Sequence, residues 1–316
     1  MPEPIIRVEN LVRDFGNVQA VNGVSFEIEE GQVVGFIGAN GAGKTTTMRM
    51  MVTLDLPTSG RIAICGYDVS DHPSEVRHRV GWMPDSYGAY DNMTVAEYLD
   101  FYGRAFGYKT AERARRIGEV MEFTDLTVIS DRPINKLSKG MGQRLCLGRT
   151  LIHDPQVLVL DEPAAGLDPK ARLEFKNLIR LLAQKGKTIF ISSHILSELA
   201  EMCDQLLFID AGRIVHNGST ESLTEHHGSA ALIEIRVSGD PEALYQWISA
   251  SADIEISDRL KNGARVRMPE TGPDRLAAIL KRLVMDGVPV TGFFKIERRL
   301  EEAFVDMLKI QPPPLP

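Results

Sequence analysis

Apolar and polar residues alternate through IIRVENLV and, after a turn at DFGN, through VSFEIEEGQVVGFIG, which predicts strands bounded by Gly and Asn. The second run ends in a glycine-rich turn. From Thr45 the sequence TTMRMMVTL takes a helical apolar spacing until Pro57, so strand, glycine loop and helix follow in that order. RIAICGYDV and RVGWMP predict short strands flanking a helix that Asp71 caps.

From about Asp85 to Leu151 the pattern turns helical. Val95, Leu99, Tyr102 and Phe106 fall on one face of a helix that Asn92 or Thr94 caps. Tyr98, Phe101, Tyr102 and Phe106 are expected to form the core of this subdomain, and KTAERARR at 109–116 a solvated helix face. After His153, strands and helices alternate again: QVLVLDEP, a helix to about Leu182, KTIFISSH, a helix at ILSELAEMC, and QLLFIDAG. Such nearly continuous apolar strands predict a parallel sheet covered on both faces. NGSTESLTEHHGSAA at 217–231 marks a boundary, beyond which the order is that of a ferredoxin-like βαββαβ domain. Trp247, Phe293 and Phe294 are expected in its core. A last helix, ERRLEEAFVDMLK, precedes the tail QPPPLP.

Composition narrows the class. A length of 316 residues suggests about two domains, and 43% hydrophobic with 25% charged residues is ordinary for a soluble globular chain. The apolar runs are strand-sized, far short of the roughly 18 residues of a membrane helix. A net charge of −7 argues against nucleic acid as the partner. Cys65, Cys146 and Cys203 lack disulfide or zinc spacing, and MPEPIIRVEN lacks the apolar stretch of a secretory signal, so a cytoplasmic location is expected.

The chemistry begins at GANGAGKT, residues 38–45, which matches G-x-x-x-x-G-K-[ST] between a buried strand and a helix start. Backbone N–H groups of Gly38, Asn40, Gly41, Ala42, Gly43 and Thr46 are placed to cradle phosphates at the positive helix end. At average residue frequencies, a chance match in a chain of this length has a probability of roughly one per cent. Lys44 would reach the β- and γ-phosphates of ATP, and Thr45 would offer its hydroxyl to Mg²⁺. VLVLDEP puts Asp161 at the carboxyl end of an apolar strand, where it would hold Mg²⁺ through water. The adjacent Glu162 would orient and polarise the attacking water.

Four further segments carry a family resemblance. LSKGMGQR at 137–144 resembles the signature, AAGLDP at 164–169 the D-loop, and ISSHILSE the switch-histidine segment of ATP-binding cassette (ABC) transporter ATPases, while Phe15 stands where that family stacks an aromatic on adenine. The resemblance covers about residues 5–215. It implies a P-loop NTPase α/β fold: a RecA-like parallel sheet with antiparallel N-terminal strands and a helical subdomain at about 86–150, in a domain of residues 1–222; the strand and helix order adds the ferredoxin-like α+β domain at 223–316. It also implies that Ser138 and Gly140 reach the γ-phosphate bound by a second ATP-binding subunit, that Asp168 reports across that interface, and that His194 donates to the γ-phosphate. The implied partners are a second ATP-binding subunit, identical or homologous with an identical copy favoured, and a membrane-spanning permease at the cytoplasmic face of the membrane, engaged through the cleft at 87–92.

Two positions depart from the family pattern. Asp85 replaces the Q-loop glutamine, where a carboxylate either ligates Mg²⁺ or water or serves as a turn former. In the signature, Lys139 replaces a glycine and Met141 the glutamine, but Ser138 and Gly140 remain. The LSKGM-type signature and the ending RRLEEAFVDMLK resemble ABC-2 type exporter ATPases of the daunorubicin-resistance-like and sodium-export-like groups. A soluble cassette ATPase acting on ribosomes or DNA is the competing expectation. It would call for a coiled-coil insertion, zinc cysteines or a second cassette, and the sequence shows none.

Overall fold

The computed structural model describes residues 3–86, 88, 92–219, 230–251, 253–269 and 272–296. The expected final helix, the proline tail and most of the cleft segment at 87–92 lie outside them. The chain divides into two compact units, Met1–Thr220 and Glu221–Pro316.

In the first unit, β1 (Ile6–Asp14), β2 (Gln19–Ile28), β4 (Ser59–Ile64) and β5 (Tyr67–Asp68) form an antiparallel sheet in the order β2-β1-β4-β5. A six-stranded sheet runs β10-β9-β3-β8-β7-β6, built from β3 (Val33–Ile37), β6 (Val80–Met83), β7 (Val157–Leu160), β8 (Thr188–Ser193), β9 (Gln205–Asp210) and β10 (Arg213–Gly218). Five of its strands are parallel, and β10 closes the edge antiparallel to β9. β3, β7 and β8 are buried at every position, as strands covered on both faces must be. One core spans both sheets; within it Phe190 lies 5.0 Å from Phe36 and stacks on Phe26 at 5.5 Å, ring centre to ring centre.

Helix α1 (Lys44–Met51) follows β3, and α2 (Pro73–Arg79) joins β5 to β6. The cap of α2 is His72, not Asp71, and it makes no side-chain capping bond, because Pro73 at the first helical position sets the start. Asp71 belongs to the turn before it, its N–H directed at Asp68.

The helical subdomain comprises α3 (Val95–Ala105), α4 (Thr110–Phe123) and α5 (Lys139–Leu151). Thr94 caps α3 in a reciprocal capping box with Glu97. Tyr98 is fully buried, but Phe101 is 42% exposed and does not belong to the expected aromatic core. The helix turns Val95, Tyr98 and Leu99 inward, and position 101 falls off that stripe.

The basic cluster of α4 also differs from a solvated face. Arg113 is mostly buried against Asp100 and the Tyr108 carbonyl. Arg116 donates to the carbonyls of Leu151 (3.1 Å) and Ile152 (3.2 Å), closing the end of α5. Helix α6 (Pro169–Gln184) leads into β8, and the short α7 (Leu196–Ala200) follows it.

The second unit contains β11 (Ala230–Val237), α8 (Glu242–Ser249), β12 (Glu255–Leu260), β13 (Gly263–Pro269), α9 (Pro273–Met285) and β14 (Val290–Ile296). Its antiparallel sheet order β12-β13-β11-β14 is the ferredoxin-like arrangement. Ile233, Ile235, Leu244 and Val266 lie in its own core. Phe293 packs against that core, but Phe294 is 52% exposed beneath the Arg236 guanidinium, because strand alternation sends neighbours to opposite faces.

Candidate functional site

Four adjacent parallel strands end side by side. Register pairs Ile37 with Ser193, Ile191 with Leu160, and Leu160 with Met83. The residues that follow them, Gly38, His194, Asp161 and Asp85, therefore share the carboxyl edge of the sheet, where ligands bind in open α/β folds.

The loop after β3 is shaped by close packing. A Cβ on Gly38 would collide with the Ile209 carbonyl. At Gly43, the N-cap of α1, φ is +110°, a conformation that side chains rarely adopt. No side chain caps α1, which leaves its first-turn N–H groups for a ligand. Lys44 is 6% exposed; its Nζ donates to the Gly38 carbonyl at 2.7 Å and lies 3.5 Å from Glu162. An anion entering the loop competes for that ammonium against neutral carbonyls and a single carboxylate.

Asp161 is 2% exposed and accepts two hydroxyl bonds, from Thr45 (2.8 Å) and from Ser192 (2.7 Å). Ser192 also accepts the Glu162 N–H at 2.9 Å, so one hydroxyl fixes both acids. It was not among the expected site residues; the signal for it was the polar end of the otherwise apolar strand TIFISS.

Glu162 has φ +48°, left-handed backbone that is uncommon outside glycine. Its Oε2 pairs with Nδ1 of His194 at 2.8 Å, while Oε1 is buried without a hydrogen-bond partner. With Nδ1–H donating to Glu162, a neutral His194 ring has Nε2 as an acceptor. Presenting a donor to an anion therefore needs the protonated ring or release from Glu162.

A cleft of about 210 Å³ is lined by Asn40, Gly41, Gly43, Lys44, Thr45, Thr46, Asp85, Asp161 and Glu162, with Ala20 as the unanticipated member. The Thr45 hydroxyl and Asp161 carboxylate form a hard oxygen pair suited to Mg²⁺. Among the described residues no group of three or more His, Cys, Asp or Glu side chains forms a metal cage.

Other expected residues lie off this lining. Phe15 is 54% exposed with the Arg13 guanidinium 4.4 Å from its ring centre. Ser138 caps α5 through the Met141 N–H, and Asp168 caps α6 through the Ala171 N–H. A Cβ on Gly140 would press on Ala171 at 3.2 Å, so the two helix starts run close together.

The family described as ABC transporter matches residues 21–165. "Nod factor export ATP-binding protein I" of Burkholderia orbicola is 36% identical over 301 residues, covering 95% of both chains. "ABC transporter ATP-binding protein NatA" of Bacillus subtilis is 39% identical over 216 residues, 68% of this chain and 88% of the relative. Among solved structures, the ATP-binding subunit of an ABC transporter superposes with a TM-score of 0.64 at 28% identity, covering 70% of this chain and 92% of the other. An ATP-binding cassette of an ABC transporter in its ADP conformation gives 0.64 at 27% identity, covering 70% and 93%.

Proposed function

Because the chain belongs to the ABC transporter family, as an ATP-binding subunit that hydrolyses ATP, we propose that two copies sandwich ATP and drive export through a separate membrane-spanning permease. The observation that supports this reading is the division of the site. The Lys44, Thr45, Asp161 and Glu162 cleft lacks Ser138, Gly140 and Asp168, whose helix starts belong to another part of the surface. A cleft with phosphate-binding and water-activating groups but no closing wall acquires one when a second copy presents its signature helix.

In this reading Lys44 and the loop amides of residues 38–46 bind the β- and γ-phosphates, and Phe15 stacks on adenine. Thr45, Asp161 and Asp85 hold Mg²⁺, which when bound neutralises charge on the phosphate oxygens. Glu162 orients water for in-line attack on the γ-phosphate, and His194 holds that carboxylate and then the phosphate. Ser138 and Gly140 of the second copy complete the site, and Asp168 faces the same junction.

Hydrolysis reopens the pair and drives the permease, with the chain peripheral to the cytoplasmic face of the membrane. Among the described residues no helix is long and apolar enough to cross a membrane. Export, of the ABC-2 type and without nucleic acid as a partner, is supported by relatives whose names specify Nod factor export and by an alignment that reaches through the second unit.

Glu162→Gln tests the reading. With Mg-ATP it should elute as a dimer in size-exclusion chromatography while turnover falls about a hundredfold or more. A monomeric variant with wild-type turnover overturns both the pairing and the role of Glu162.

A further inference from the structure

His194 sits in a turn that a second set of side chains holds in place. Ser193 Oγ accepts the N–H of Ile195 at 3.0 Å, bracketing His194 between the two. The same hydroxyl donates to Oε2 of Glu198 at 3.3 Å. Oε1 of Glu198 lies 3.0 Å from a terminal nitrogen of Arg172, an ion pair bent away from hydrogen-bond geometry, with Glu198 only 13% exposed. The other terminal nitrogen of Arg172 donates to the Leu167 carbonyl at 3.2 Å, one residue before Asp168, and its Nε is buried without a partner. A narrow cavity between the two loops is lined by Glu162, Ala165, Arg172, Ser193 and Glu198.

We propose that the Arg172–Glu198 ion pair is a positioning device that ties the 164–168 loop to the turn carrying His194, and so sets the distance between His194 and Glu162. The inference rests on the roles given above to His194 and Glu162.

The guanidinium is suited to the task because it is a planar fork: one arm reads a backbone carbonyl of the first loop, the other a carboxylate on the helix after the second. A lysine at 172 keeps the charge but offers a single point, so it serves one loop at a time. Movement of the Asp168 loop displaces the Leu167 carbonyl, then Arg172, then Glu198 and the Ser193–Ile195 turn. The loop that faces the second copy is thereby connected to the pair that handles water.

The experiment is a double-mutant cycle on the full chain, with ADP affinity, the KM for ATP, kcat and the ¹⁵N imidazole signals of His194 as readouts. Arg172→Lys and Glu198→Gln should each lower kcat about tenfold or more, as small misplacements near reacting groups do. ADP affinity and KM should stay within about twofold, and the His194 Nδ1 signal should shift. In a His194→Ala background the same substitutions should cost little, because the group they position is gone. The exchange Arg172→Glu with Glu198→Arg should recover part of kcat if the pairing itself matters.

Unchanged kcat in both single variants overturns the proposal, as does a loss of equal size in the His194→Ala background. If His194→Ala itself retains wild-type turnover, the role of His194 is at fault. If His194→Ala is inactive while Arg172→Lys and Glu198→Gln are not, the positioning role is at fault.

Discussion

That Lys44, Thr45, Asp161 and Glu162 line one cleft was legible because each belongs to a local motif. Lys44 and Asp161 follow strands whose apolar runs announce burial, so both the residues and their sheet edge could be read together. Lys44→Ala should cut ATPase turnover about a hundredfold in a coupled-enzyme assay while the far-ultraviolet spectrum stays unchanged. Asp85→Gln tests one of the positions at which the chain departs from the family pattern: if Asp85 is a Mg²⁺ ligand, its loss should raise the Mg²⁺ needed for half-maximal turnover about tenfold. An unchanged requirement returns Asp85 to the role of turn former.

His153 escaped the sequence because its surroundings come from distant segments. Its Nε2 meets the Val80 carbonyl at 3.0 Å and its ring stacks on Phe106 at 4.1 Å. Burial pushes its pKa down to about 4, partly opposed by the Val80 carbonyl. The unfolded chain, with an ordinary imidazole, takes up a proton below about pH 6.5 that the folded chain refuses, so stability should fall between about pH 6.5 and 4. Denaturant titrations should show that fall in the wild type and a flatter profile in His153→Phe.

Elements were read well where periodicity and end signals agree. Helix α3 carries both, an apolar stripe and the Thr94–Glu97 box, and Thr94→Ala should cost about 1 kcal/mol in a urea denaturation series. The ferredoxin-like order of the second unit followed from alternating strands with apolar helices between them. The start of α2 was misplaced because an aspartate is a common cap, whereas Pro73 fixes the first turn without one. Sequence spacing predicts a solvated face for the arginines of α4 because it says nothing of which carbonyls lie across the helix. Arg116→Ala should lower the unfolding midpoint by exposing two unpaired carbonyls at the end of α5, an effect absent in Arg115→Ala, whose partner is the exposed Glu119.

At the scale of the whole molecule, each unit contains its own hydrophobic core, so residues 1–220 expressed alone should unfold cooperatively and bind ADP within a few-fold of the full chain. Loss of cooperative unfolding in that fragment would show that the second unit is needed to fold the first. The proposed pairing of subunits rests on motifs alone: nothing in periodicity or charge says that the start of α5 should face another copy. The backbone at Glu162 has a consequence of its own. A residue without a side chain would occupy φ +48° at about 1 kcal/mol less cost, but its arrival would strip the buried Lys44 ammonium of the carboxylate 3.5 Å away and His194 of its partner at 2.8 Å. Glu162→Gly should therefore gain little or nothing in a thermal denaturation series despite its relaxed backbone. Backbone ease and side-chain pairing are set against each other at this one position.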